Sequence, residues 1–156
     1  MSAQLDRMIA QFPQAGQVEW LGVRLARKAE MVASQSVIIT ASGLEGDHRA
    51  APGKRAVTLI QAEHLPMLAA FTGMENVSPS LLRRNIVISG INLLALRKIE
   101  FQVGGATLKG TGPCAPCSRM EQALGKGGFN AMRGHGGITA EVVAEGAVRI
   151  GDSVLV

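Results

Sequence analysis

Cys114 and Cys117 are the only thiols of the chain, and they stand together in Gly112-Pro113-Cys114-Ala115-Pro116-Cys117-Ser118-Arg119. Ser118 to Leu124 reads as a short helix, with Ser118 and Glu121 in capping-box spacing and Gly125 as its stop. A sulfur at the start of that helix meets the positive end of the helix dipole and free N–H groups, and Arg119 adds a cation. This setting favours a nucleophile or a metal ligand over a structural thiol. A lasting disulfide is not expected in a cytosolic protein. A structural zinc needs four ligands, whereas His48, His64 and His135 are single and dispersed. A thioredoxin-like dithiol would follow the first strand of a βαβ unit, and this pair comes late among short strands. What remains is single-thiolate chemistry, in which one cysteine binds a soft metal or carries sulfur while the other is a neighbour.

The second chemical signal is basic. Sixteen Lys and Arg against twelve Asp and Glu give a net charge of +4. Between Asp47 and His135 the balance is eleven basic to five acidic residues, so the middle of the chain carries +6 and the remainder −2. Guanidinium forks bind oxyanions bidentately, which points to a phosphate-bearing or other anionic ligand. In Arg83-Arg84-Asn85, at the start of an apolar run, strand alternation puts Arg83 and Asn85 on one face and Arg84 on the other. Gly43-Leu44-Glu45-Gly46-Asp47-His48-Arg49 is a tight turn around charged residues, either functional or a surface Asp47–Arg49 pair. Gly125 to Gly137 gathers six glycines around Arg133 and His135 and reads as a flexible anion-binding loop, although it matches neither the P-loop nor the dinucleotide fingerprint. Nucleic acid is not the expected partner, because four Phe, one Trp and no Tyr leave few stacking platforms and no groove-reading motif is present.

The elements that must position these residues are mostly strands. The 156 residues, 47% of them hydrophobic, are enough for one domain burying about two thirds of its unfolded surface. Strands are expected at Val18–Val23, Val32–Thr40, Arg55–Ile60 and Asn85–Ile88. Glu100–Val103 and Ala106–Lys109 form a hairpin about Gly104-Gly105. A second hairpin joins Ile138–Ala144 to Ala147–Ile150, and Ser153–Val156 closes the series. Helices are expected at Ala62–Phe71, with Gly73 as its stop, and near Pro79–Leu82. Seven or eight short strands with few helices predict a mainly β fold, a β-barrel or rolled sheet. No apolar run reaches the roughly 18 residues of a membrane span. Asp6 and Arg7 interrupt any signal-peptide core, so a cytoplasmic location is expected.

Taken in order, Trp20-Leu21-Gly22-Val23, Gly43 to His48, Arg55 to Gln61 with Glu63-His64-Leu65, Arg83 to Gly90, Thr111 to Cys117 and Val148-Arg149-Ile150-Gly151-Asp152 resemble the MOSC family, named for the C-terminal domain of molybdenum cofactor sulfurases. The likeness runs from about Val18 to Val156, which implies an N-terminal extension over residues 1–17 and a single MOSC domain over 18–156. The resemblance implies a MOSC-type β-barrel that binds the molybdenum cofactor (molybdopterin) or carries sulfur to or from it. It maps the family's key cysteine to Cys117, the thiolate that ligates molybdenum in relatives reducing N-hydroxylated compounds, and it maps cofactor contacts to Arg83 and Asn85. Arg55, Arg119, Arg133, His48 and His135 are further candidates for the pterin and its phosphate. Two activities follow from the resemblance. One is a molybdenum-dependent reductase of N-oxygenated compounds fed by a separate electron-transfer protein, since no ferredoxin-like cysteine set is present. The other is a carrier holding a persulfide on Cys117. For the carrier, the pyridoxal-phosphate chemistry that extracts sulfur would reside on a separate partner such as a cysteine desulfurase.

Overall fold

Alternation along two central strands sets the layers. In β5 (Val57–Gln61) and β6 (Ile86–Ser89), Leu59, Ile86 and Ile88 point into one apolar cluster while Ile60 and Val87 point into another. Successive side chains of a strand face opposite ways, so a strand buried on both faces reads as an unbroken apolar run. The first cluster fills a barrel with Val18, Leu21, Phe101, Val103, Leu108 and Val154. The second lies outside the barrel wall, where Leu68, Leu82, Met120, Leu124 and Met132 cover it. Each fully buried Leu or Ile contributes about 1.5–3 kcal/mol of transfer free energy.

The computed structural model describes residues 2–156. The other barrel strands are β1 (Gly16–Arg24), β7 (Glu100–Val103), β8 (Ala106–Pro113), β9 (Ile138–Ala144) and β11 (Ser153–Leu155), with β2 (Met31–Ser34) beside β1. Their order is β11-β7-β8-β9-β5-β6-β1-β2, and β11 also pairs with β1 through Gly16↔Val154, which closes seven strands into a barrel. All these pairings are antiparallel except β5–β6, whose crossover contains α2 (His64–Thr72) and a 3-10 turn at Pro79–Leu82. A three-stranded sheet of β10 (Gly146–Arg149), β3 (Ser36–Thr40) and β4 (Gly43–Leu44) packs alongside. Two short helices, α3 (Ser118–Leu124) and α4 (Gly128–Met132), fill the β8–β9 connection. A first helix, α1 (Ala3–Ile9), buries none of its residues.

The mainly β class and the Gly104-Gly105 hairpin agree with expectation. Several details differ. The expected strand Val32–Thr40 is two strands that part at Gln35 and enter different sheets. The expected hairpin of β9 with β10 does not form, because β9 pairs with β5 and β8 while β10 pairs with β3. The first barrel strand runs from Gly16 to Arg24 and so begins two residues before the expected strand Val18–Val23. The expected loop from Gly125 to Gly137 contains α4. Among the described residues no helix is long and apolar enough to cross a membrane.

Candidate functional site

Strand β1 ends at Arg24, a buried arginine that organises one end of the barrel. Its Nε and Nη2 donate to Asp47 Oδ1 at 3.2 Å and Oδ2 at 2.8 Å, and its Nη1 donates to the Arg83 carbonyl at 3.3 Å. Asp47, only 7% exposed, also accepts from Asn85 Nδ2 at 2.6 Å and from the Arg49 backbone N–H at 3.1 Å. Burial pushes the Asp47 carboxyl up, but the hydrogen bonds from Arg24, Arg49 and Asn85 outweigh it and hold the group below its ordinary range. Asn85 in turn donates to the Gly22 carbonyl at 3.2 Å and accepts from the Thr58 N–H at 3.2 Å. Its amide therefore ties β1, β5 and β6 together, and its polar atoms already have protein partners.

In front of this network lies a cavity of about 510 Å³ with the guanidinium-bearing residues Arg24, Arg49, Arg55, Arg83, Arg84 and Arg119 in its wall. No carboxylate lines it among the described residues. Arg83 caps the 3-10 turn with φ +57°, so the strand begins only at Ile86 and the alternation expected from Arg83 onward does not apply. Arg83 and Arg84 both line the cavity, while Asn85 lies behind it. Arg83 Nη1 donates to the Ala29 carbonyl at 2.8 Å, and Nη2 is buried with no partner among the described residues. Burial, then the neighbouring charges of Arg24, Arg119 and Arg49, lower the Arg83 guanidinium from its ordinary value. That mutual repulsion marks the cavity as a focus of positive potential.

The thiols line the same cavity. Cys117 is exposed and Cys114 is 5% exposed; both are free, and both line the cavity. The N-cap of α3 is Cys117, one residue before the expected Ser118. Glu121 does not complete a capping box. Its carboxylate accepts instead from the Gly127 and Phe129 N–H groups, each at 3.1 Å, and so fixes the start of α4. Arg84 clamps the thiol loop from below: Nε donates to the Gly136 carbonyl at 2.9 Å, Nη1 to Leu82 O at 3.0 Å and Nη2 to Ala115 O at 3.4 Å. Burial lowers the Arg84 guanidinium, and the two neighbouring sulfurs oppose that shift. A Cβ at Gly136 would overlap the Cys114 carbonyl oxygen, so glycine is required where the two segments meet.

Of the residues singled out in the sequence, Cys117, Arg55, Arg83 and Arg119 meet around the cavity, and His48, Asn85, Arg133 and His135 do not line it. His48 Nδ1 lies 3.9 Å from Asp47 Oδ1. Arg133 lines a second hollow across the thiol loop. His135 packs edge-on against His64, with ring centroids 5.1 Å apart, and near Phe71. Burial and then the adjacent His135 keep His64 below the ordinary imidazole value. The surface Asp47–Arg49 pair is replaced by the buried Arg24–Asp47 pair. Arg24, Arg49 and Arg84 also line the cavity. Strand alternation predicts the opposite face for Arg84, and no local motif links Arg24 to Asp47. Among the described residues no three His, Cys, Asp or Glu side chains gather as a metal-ligand set.

The same architecture is found in solved structures. The YUAD protein from Bacillus subtilis superposes with a TM-score of 0.80 at 19% identity, over 90% of this chain and 94% of that one. YiiM from Geobacillus stearothermophilus gives 0.73 at 17% identity, covering 90% and 75%. YiiM from Escherichia coli gives 0.70 at 21%, covering 92% and 69%. Comparison with curated proteins gives no match. The sequence pattern of the MOSC domain matches residues 44–155, which span Asp47, five of the six cavity arginines and both cysteines. With that match over most of its length, the chain belongs to the MOSC domain family.

Proposed function

We propose that the chain binds the molybdenum cofactor in the arginine-lined cavity, with Cys117 as the protein thiolate on molybdenum. The observation that carries this reading is an exposed, free sulfur in the same cavity wall as six guanidinium-bearing residues and no carboxylate. A soft thiolate suits a soft metal, and planar cationic forks suit the oxyanions of a phosphate-bearing pterin. Arg49 and Arg55, both exposed, are placed to meet a phosphate, while Arg24 and Arg84 are held by the protein and supply fixed positive charge. Asp47 acts as a positioning residue that holds Arg24, and Asn85 in turn holds Asp47. When bound, the cofactor would supply removal of an oxygen atom from an N–O bond, with electrons delivered by a separate protein.

Protein purified from a cofactor-producing host is expected to retain molybdenum and pterin. Cys117→Ala should lose both, and Cys114→Ala should keep most of each, as elemental analysis and pterin fluorescence would report; the reverse ranking overturns the assignment. The exposure of Cys117 also favours a second reading, a sulfur carrier with a persulfide on that thiol and sulfur supplied by a separate cysteine desulfurase. A mass increase of one sulfur atom on Cys117, without bound pterin, would select the carrier.

A further inference from the structure

Across the thiol loop from the arginine cavity lies a second hollow of about 440 Å³, and Cys114 and Ala115 contribute to the walls of both. Its size falls within the range of small-molecule sites. Leu94, Pro113, Pro116 and Phe129 make its surface mainly apolar. Leu94 is 40% exposed and Phe129 39%, so large apolar groups that would ordinarily be covered face this space together. Phe129 is held at its backbone by Glu121, and Arg84 grips the Ala115 and Gly136 carbonyls in the dividing wall. Arg97 and Arg133 bring two guanidinium groups to the hollow. Neither has a carboxylate within 4.0 Å among the described residues. Their side-chain hydrogen bonds go to neutral oxygens, from Arg97 Nε to Leu94 O at 3.1 Å and from Arg133 Nη1 to Asn130 Oδ1 at 3.5 Å.

We propose that this hollow binds a small apolar monoanion, an aromatic or branched carboxylate or sulfonate, with its hydrocarbon body against Phe129 and Leu94 and its charge between Arg97 and Arg133. Its role as the pocket for the body of the substrate rests on the cofactor reading above; the binding itself does not. A neutral apolar ligand would leave the guanidinium groups unpaired, and a small inorganic anion would leave the apolar wall wet.

The test uses the full chain without cofactor and the dye anilinonaphthalene sulfonate, an aromatic monoanion that fluoresces in apolar surroundings. One dye per chain is expected to bind, with a dissociation constant on the order of 10 μM. Neutral phenylnaphthylamine should bind about tenfold more weakly, as should the sulfonate to the Arg97→Gln/Arg133→Gln double variant. Phe129→Gln, a surface change, should cost a similar factor. Leu94→Gln is a second surface probe if Phe129→Gln melts early. Arg55→Ala and Cys117→Ala should leave dye affinity unchanged, so failure of the cofactor reading and failure of this one are separable. No saturable binding, equal affinity for the neutral dye, or sensitivity to Arg55→Ala with indifference to Phe129→Gln would overturn the proposal.

Discussion

Asp47 shows how one side chain governs a site it does not line. It receives both prongs of Arg24 and the Asn85 amide in a buried setting, so its removal leaves a guanidinium without its counter-charge. Asp47→Ala is expected to cost about 3–5 kcal/mol in urea unfolding, the range for breaking a buried pair from one side. The pH dependence has a definite sign. Because the folded protein holds this carboxyl below its ordinary value of 3.8, the stabilisation is complete above about pH 4 and is lost as pH falls through the lower folded value. The gap between wild type and variant should therefore stay constant from about pH 5 to pH 8 and narrow in stronger acid. A gap that widens in acid would contradict the pairing. At this scale the sequence was legible for Cys117, whose helix-start position is encoded by its immediate neighbours. It was misleading for Arg84, because the left-handed conformation at Arg83 shifts the strand start and with it the face each side chain takes. No local signal marks Arg24, because its partner lies 23 positions away and meets it only once β1 and the turn after β4 have come together.

Among the elements, the segment entering β9 is the most constrained. Gly137 has φ +85°, and a Cβ there would overlap the Leu59 carbonyl oxygen. Gly134 has a similar φ of +81° but open space around it. Gly134→Ala should thus cost only the left-handed penalty of about 1–2 kcal/mol. Gly137→Ala, which must also displace β5, should cost about 3 kcal/mol or more. Equal losses in denaturant titrations would show that the close approach to β5 is unimportant. The same segment shapes the thiol loop, since the Gly137 carbonyl accepts the Cys114 N–H at 2.8 Å. Elements fixed by local signals were read correctly from the sequence: the apolar run of β6, the Gly104-Gly105 turn and the Gly73 stop of α2. Those decided by long-range pairing were not. Nothing near Gln35 announces that β2 and β3 separate, and β10 leaves β9 because β3, more than a hundred positions earlier, offers it an edge.

For the molecule as a whole, five arginines from the basic middle of the chain, Arg49, Arg55, Arg83, Arg84 and Arg119, join Arg24 around one cavity, so their charges repel at short range unless an anion intervenes. Pyrophosphate at about a hundredfold its dissociation constant should add about 2.7 kcal/mol of stability. For a chain of this size that lifts Tm by about 5–10 °C. Chloride at the same ionic strength should give little of this effect, and Arg49→Ala/Arg55→Ala should remove most of it; an equal rise in both would place the anion elsewhere. The closed barrel with an apolar layer on its outer wall also explains why short apolar runs indicate the fold class, since strands buried on both faces need the unbroken runs seen at β5 and β6. One further property follows from the layer outside the barrel. Trp20 on β1 packs against that layer, and the chain has no tyrosine. The intrinsic near-ultraviolet emission of this protein therefore comes from a single indole seated where helices meet the barrel wall. It is a built-in optical gauge of whether that outer coat, which carries Met120 from the thiol-bearing helix, is still in place.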